Sequence, residues 1–151
     1  MASDSFAGLQ GIEMSADESD AVLRENGFGV LSLARDSDAY GIPISFGYDG
    51  DNLYFVLLRP GEESKKEAFI RETETASFLV YDVGGKHDWR SVIVSGRVEQ
   101  VDDDEWPAVR DALDENAWFP SLFSETQPMQ DILGWKFVID TMTGQKSDGT
   151  A

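Results

Sequence analysis

Three apolar runs separated by turn residues, "FGVLSLAR", "YGIPISFGY" and "LYFVLL", occupy most of Phe28 to Leu58 and constrain the fold more than any other feature. Each has the length of a strand and is rich in β-branched, aromatic or other aliphatic residues. The connectors, "DSDA" and Asp49 to Asn52, carry the Asp, Gly and Asn that tight hairpins use. Strands joined this closely run antiparallel, because a parallel neighbour needs a long crossover. Pro43 has no amide to donate, so the second run lies at a sheet edge, at a bulge, or where its backbone faces something other than a neighbouring strand.

The pattern continues downstream. "ASFLVYDV" from Ala76 to Val83 reads as a fourth strand and "GGKHD" as a loop. Arg90 to Val101 alternates as a long fifth strand with a bulge at Gly96, and Gly134 to about Met142 is the sixth. Ser15 followed by Glu18 forms a capping box that opens a short helix, with Gly27 as its stop. Ser64 followed by Glu67 opens a second helix, from about Lys65 to Glu72. Asp103 or Asp104 caps a third through about Glu115, where Pro107 is tolerated in the first turn. The expected fold is mainly β with a few short helices, a six-stranded antiparallel barrel rather than a doubly wound sheet. No linker divides the 151 residues, so one domain is expected over 14–146, with flexible ends at 1–13 and 147–151.

Composition narrows the partners. The chain carries 29 acidic residues against 12 basic ones, a formal charge of −17, yet 41% of it is hydrophobic and 11% aromatic. Such a chain folds, with its acidity as a coat. Nucleic acid and anionic membranes are disfavoured, since both are recognised through Lys and Arg. The excess is spread along the sequence, includes "VDDDE" at 101–105, and comes with few lysines, a balance that resembles proteins of extreme halophiles. In molar salt the Debye length is roughly 3 Å, so self-repulsion is screened and stability is expected to rise with salt. The longest apolar run, Leu53 to Leu58, is too short to cross a bilayer, and no basic segment precedes an apolar one near the N-terminus. A soluble cytoplasmic protein is the expectation.

Several chemistries drop out. With no cysteine, thiolate metal sites, disulfides and cysteine nucleophiles are excluded, and redox chemistry needs a cofactor. His87 is the sole histidine and reads as a loop residue beside Asp88, and no "GxSxG" elbow is present to build a triad. Asp102 to Asp104 lack EF-hand spacing and read as a cap and hydrated surface, so no metal site is expected. Neither a P-loop nor "GxGxxG" occurs.

One pair of charges stands out. Lys65 and Lys66 lie side by side in a chain with five lysines, in the first turn of the second helix. The helix dipole makes each cation there unfavourable by roughly 0.3 to 1 kcal/mol. Either an anion offsets this or the lysines are simply solvated near Glu62 and Glu63.

"GFGVLSLA", "YGIPISFGYDGDNLYFVLL" with "SKKEAFIRETETASFLV", and "WRSVIVSGRVEQV" together resemble the pyridoxamine-phosphate-oxidase-like, FMN-binding split-barrel family, from about Met14 to Lys146. Within it the sequence looks most like small flavin-nucleotide-binding proteins related to nitroimidazole-resistance reductases. It is less similar to the oxidase itself, whose long C-terminal substrate-binding segment has no counterpart here. The resemblance implies a split β-barrel and an FMN phosphate held by an "SxK"-type stretch, with Ser64 and Lys66 in that pattern and Lys65 adjacent. It further implies that Pro43, Ile44, Ser45 and Phe46 run along the flavin, and that Trp89, Arg90 and Ser91 approach it from the next long strand. For Ile44 and Phe46, core packing is the alternative. It implies a homodimer with FMN at the interface, where Trp118, Phe119 and Phe123 would cover the partner, the flavin or their own core.

The function implied is a flavin-dependent oxidoreductase passing electrons from a reduced nicotinamide to a small acceptor. The alternatives are a flavin-binding or sensing module without turnover, or the same fold using deazaflavin or pyridoxal phosphate. Haem could be ligated only through His87. No acid or base is singled out among Tyr40, Tyr48, Tyr81 and His87, so catalytic residues stay unassigned.

Overall fold

The computed structural model describes residues 11–58, 65–116 and 132–148. Six long strands form the body: β2 (Phe28–Arg35), β3 (Asp38–Ser45), β5 (Asn52–Leu58), β6 (Ala76–Gly85), β7 (Asp88–Gln100) and β8 (Ile132–Lys146). Two strands of two residues each, β1 (Ile12–Glu13) and β4 (Gly47–Tyr48), raise the expected six to eight. The helices are α1 (Ala16–Glu25), α2 (Lys65–Glu72) and α3 (Trp106–Asn116), the last entered through a 3-10 turn at Asp103–Glu105.

All pairings are antiparallel, in the order β3-β2-β6-β7-β8-β5-β4, with β1 added beside β8. The two ends of this path, β3 and β4, are consecutive in the chain and separated by Phe46 alone. The sheet must therefore curl until its ends meet, which is the geometry of a split barrel. Phe46 makes the junction: its amide donates to the Gly27 carbonyl at 3.0 Å and its ring is wholly buried.

Inside the curl lie Leu31, Phe55, Phe78, Val94, Trp135 and Phe137, supplied by alternate positions of the long strands. A smaller cluster, Tyr54, Val101, Val109, Ala112 and Leu113, seats α3 on β4 and β5. Gly47 permits that contact, because a Cβ there would collide with the backbone of Ala112 and Leu113.

Local signals largely predict the elements. Ser15 caps α1 with both bonds of the capping box, to and from Glu18, at 3.2 Å each. The helix stops at Asn26, an extended C-cap, one residue before the expected Gly27. The bulge lies at Ser95/Gly96, where β8 inserts Asp140 opposite β7. The "GGKHD" loop shrinks to a turn at Lys86 and His87. Ile12–Glu13 pairs with Gln145 and Lys146, and the Ser147 amide donates to the Trp89 carbonyl at 2.9 Å.

Candidate functional site

Pro43 sits on β3, at one end of the sheet path, so its missing amide costs no ladder bond on the open side. It faces Val30 of β2, and the row continues through Leu79, Ile93 and Thr143. Cross-strand partners share a face. The next row on this outer face is Gly41, Ser32, Ser77, Ser95 and Thr141; on the other side lie Tyr81, Ser91 and Gln145. None of these side chains is charged; the last row meets its first carboxylate at Glu13 of β1, the partner of Gln145. Apolar groups are nonetheless open to solvent there, with Tyr81, Val83 and Ile93 between 46% and 65% exposed.

An open groove of about 520 Å³ runs over this face, lined by Val30, Leu79, Tyr81, Val83, Trp89, Arg90 and Ser91. Three of the expected site residues, Trp89, Arg90 and Ser91, thus meet there, and Pro43 adjoins it through Val30. The backbone of Trp89 is anchored, its amide donating to Ser147 Oγ at 3.2 Å and its carbonyl accepting from the Ser147 amide at 2.9 Å. Arg90 is already engaged: its Nη2 donates to Asp82 Oδ2 at 2.5 Å and to Glu25 Oε2 at 3.0 Å. Hydrogen bonding from Arg90 holds the Asp82 carboxyl below the usual carboxylate range, and Asn26 assists.

The remaining expectations separate. Ile44 packs partly against the core and Ser45 Oγ donates to the Gly27 carbonyl at 3.0 Å. Phe46 is 0% exposed and edge-to-face with Phe78, the core packing given as the alternative for this position. Ser64, Trp118, Phe119 and Phe123 lie outside the described residues.

At the start of α2 the two lysines differ. Lys65 places its Nζ over the Tyr40 ring, 4.8 Å from the centroid, and 5.8 Å from that of Phe69. Lys66 is exposed and makes no ion pair with a described residue. Glu67, expected to reach back to Ser64, is fully buried. Tyr40 stands three residues before Pro43 on β3, roughly 10 Å along the strand. The lysine-bearing helix start and the groove are therefore served by one edge strand.

Sequence reading passed over Val30, Leu79 and Val83 as site residues. For Leu79 and Val83 the signal was the near-continuous apolar run of β6, "ASFLVYDV", which predicts cover on both faces of that strand.

Residues 15–146 match the model of the pyridoxamine 5'-phosphate oxidase family. The chain belongs to this family. An uncharacterized protein of Rhizobium meliloti is 27% identical over 88 residues, 58% of this chain and 56% of that relative, so the match spans little more than half the curated relative's length. Among solved structures, an FAD-binding protein of Mesorhizobium loti is similar with a TM-score of 0.73 at 22% identity, covering 91% of this chain and 99% of that one. A protein of Bacteroides thetaiotaomicron assigned as a 5-nitroimidazole antibiotic resistance protein gives a TM-score of 0.69 at 18% identity, covering 91% and 87%. An FAD-binding protein of Mycobacterium smegmatis gives 0.68 at 18%, covering 90% and 98%. These likenesses establish the shared fold. No helix among the described residues is long and apolar enough to cross a membrane.

Proposed function

We propose that this family member binds FMN and passes electrons from a reduced nicotinamide to a small acceptor, as a homodimer. The observation that carries the reading is the carboxylate-poor outer face: in a chain with 29 acidic residues, the rows around the groove hold Glu13 alone, at the far end of its row beyond Gln145. Excluding carboxylates from so much surface makes sense where an anionic or planar apolar group must lie against it. A flavin ring would rest on Val30, Leu79 and Tyr81, bounded by Trp89 and Ser91. The open side of β3 around Pro43 would offer backbone groups to the ring edge. Lys66, at the start of α2, would take the phosphate. The flavin, when bound, supplies the electron transfer; the chain orients it and keeps water from one face.

A second copy would cover the rest of the face. Two chains of charge −17 repel each other everywhere else, and the row of Ser32, Ser77, Ser95 and Thr141 both donates and accepts hydrogen bonds, so it can meet its own copy.

One observation favours binding without turnover as the second reading. The groove lining contains no carboxyl, imidazole or ammonium to move a proton, and its one cation is bound to Asp82 and Glu25.

The test is titration of the purified protein in molar salt with FMN, riboflavin, FAD, a deazaflavin and pyridoxal phosphate, followed by absorption or fluorescence. FMN is expected to bind at least ~10-fold more tightly than riboflavin, the worth of one charge-assisted phosphate contact. Failure to bind any flavin would end this reading, and a preference for deazaflavin or pyridoxal phosphate would replace the cofactor. Oxidation of NADH or NADPH by the loaded protein then separates enzyme from module.

A further inference from the structure

We infer that the two adjacent lysines have divided tasks: Lys65 is a positioning residue that clamps the start of α2 to β3 through Tyr40, and Lys66 alone presents charge to the ligand. The second half rests on the flavin-phosphate reading above; the first does not.

The geometry behind this is local. Successive residues on a helix point about 100° apart, so two neighbouring lysines cannot serve the same point equally. Lys65 turns toward the rings of Tyr40 and Phe69, which themselves meet edge to face with centroids 5.0 Å apart at 65°. Arg35 lies over the same Phe69 ring at 5.7 Å and bridges to Glu72 at 2.8 Å near the other end of the helix. The helix is therefore held at its first turn by Lys65 on Tyr40 and at its last by Arg35 on Glu72. The attraction of a cation to the face of an aromatic ring is of the same order as the dipole penalty of a lysine in a first turn and offsets it. Lys66 is exposed and has no such ring contact among the described residues.

This arrangement makes the position of the α2 amides depend on Tyr40, a residue of the strand that borders the groove. Removing the Lys65 charge would loosen the helix start without removing charge from the ligand. Removing the Lys66 charge would do the opposite.

The experiment is a mutant cycle read by FMN affinity and by thermal unfolding without ligand. Lys66→Ala should weaken FMN by ~10- to 100-fold, leave riboflavin unchanged, and leave the ligand-free Tm unchanged or slightly raised. Lys65→Met should weaken FMN by only ~2- to 5-fold and lower the ligand-free Tm. Tyr40→Leu should reproduce the Lys65→Met effect on FMN, the double variant should be no worse than the weaker single, and Tyr40→Phe, which keeps the ring, should behave as wild type. Lys65→Met losing as much FMN affinity as Lys66→Ala, or effects of Lys65→Met and Tyr40→Leu that multiply, would overturn the division while leaving the flavin reading intact. If wild type binds no FMN, the flavin reading and the assignment of Lys66 fall together, and the ligand-free Tm still decides the clamp: an unchanged value for Lys65→Met removes it.

Discussion

Arg90 illustrates how little positive charge this chain leaves uncommitted. Arg24 lies 2.7 Å from Asp20, Lys136 lies 2.7 Å from Glu105, Lys146 pairs with Glu18, and Arg90 bridges Asp82 and Glu25. Glu18, Glu105 and Asp82 are held below their usual range chiefly by hydrogen bonds from Lys146, Lys136 and Arg90, and Asp20 by those from the Tyr48 hydroxyl and then Arg24. A carboxyl depressed in the folded chain contributes stability above its unfolded pKa and loses it as the pH falls through the folded one. Asp82→Asn should therefore lower the Tm at neutral pH, by an effect on the order of 1 kcal/mol or less because the pair is partly exposed and screened. The gap between variant and wild type should close as the pH drops through the acid range, as thermal unfolding at stepped pH would show; a gap that persists undiminished would mean that Asp82 acts through packing. At this scale the family resemblance suggested Trp89, Arg90 and Ser91 as a set, and the sequence could not show that Arg90 is already paired. Its partners Asp82 and Glu25 are brought to it by two other elements. The same blindness applied to Lys65, whose aromatic partner Tyr40 precedes it by 25 positions and reaches it only through the fold.

Elements were legible where their signals were local. The Ser15–Glu18 box, the Asp36–Ser37 turn with φ of 47° and 74°, and the bulge beside Gly96 depend on residues close together in the chain. The break of the second apolar run into β3 and β4 was not legible, because Phe46 resembles its neighbours and is turned inward only when the barrel closes. Nor was the packing of α3, which rests on the absence of a side chain at Gly47. Gly47→Ala should destabilise the ligand-free protein by ~2 kcal/mol or more, since the added Cβ meets backbone that no rotamer can move aside. Gly41→Ala is the control: on the outer face its Cβ would approach only Val30 Cγ1, at 3.8 Å. Urea unfolding of the two variants should separate them clearly, and equal midpoints would show that α3 can slide.

For the whole molecule, the described residues divide between an acidic coat and a carboxylate-poor outer face. At high salt the coat is screened and the apolar face gains relative weight, so association through it should be favoured. Sedimentation in molar salt is expected to give a dimer for wild type and a monomer for Ile93→Glu, which sets like charges on the 46%-exposed centre of the row. A dimer that survives Ile93→Glu would place the contact elsewhere. The sequence by itself determined an antiparallel, mainly β chain with capped helices, because hydrogen-bonding turns, caps and alternation are set by near neighbours. It also determined the family, through an order of strands and turns spread over nearly its whole length. Only the tertiary structure decided which residues share a surface. Closing the sheet at Phe46 sends one set of alternate side chains into the core and leaves Val30, Leu79, Tyr81 and Ile93 together outside, a grouping of residues from three strands that no single stretch of the chain contains.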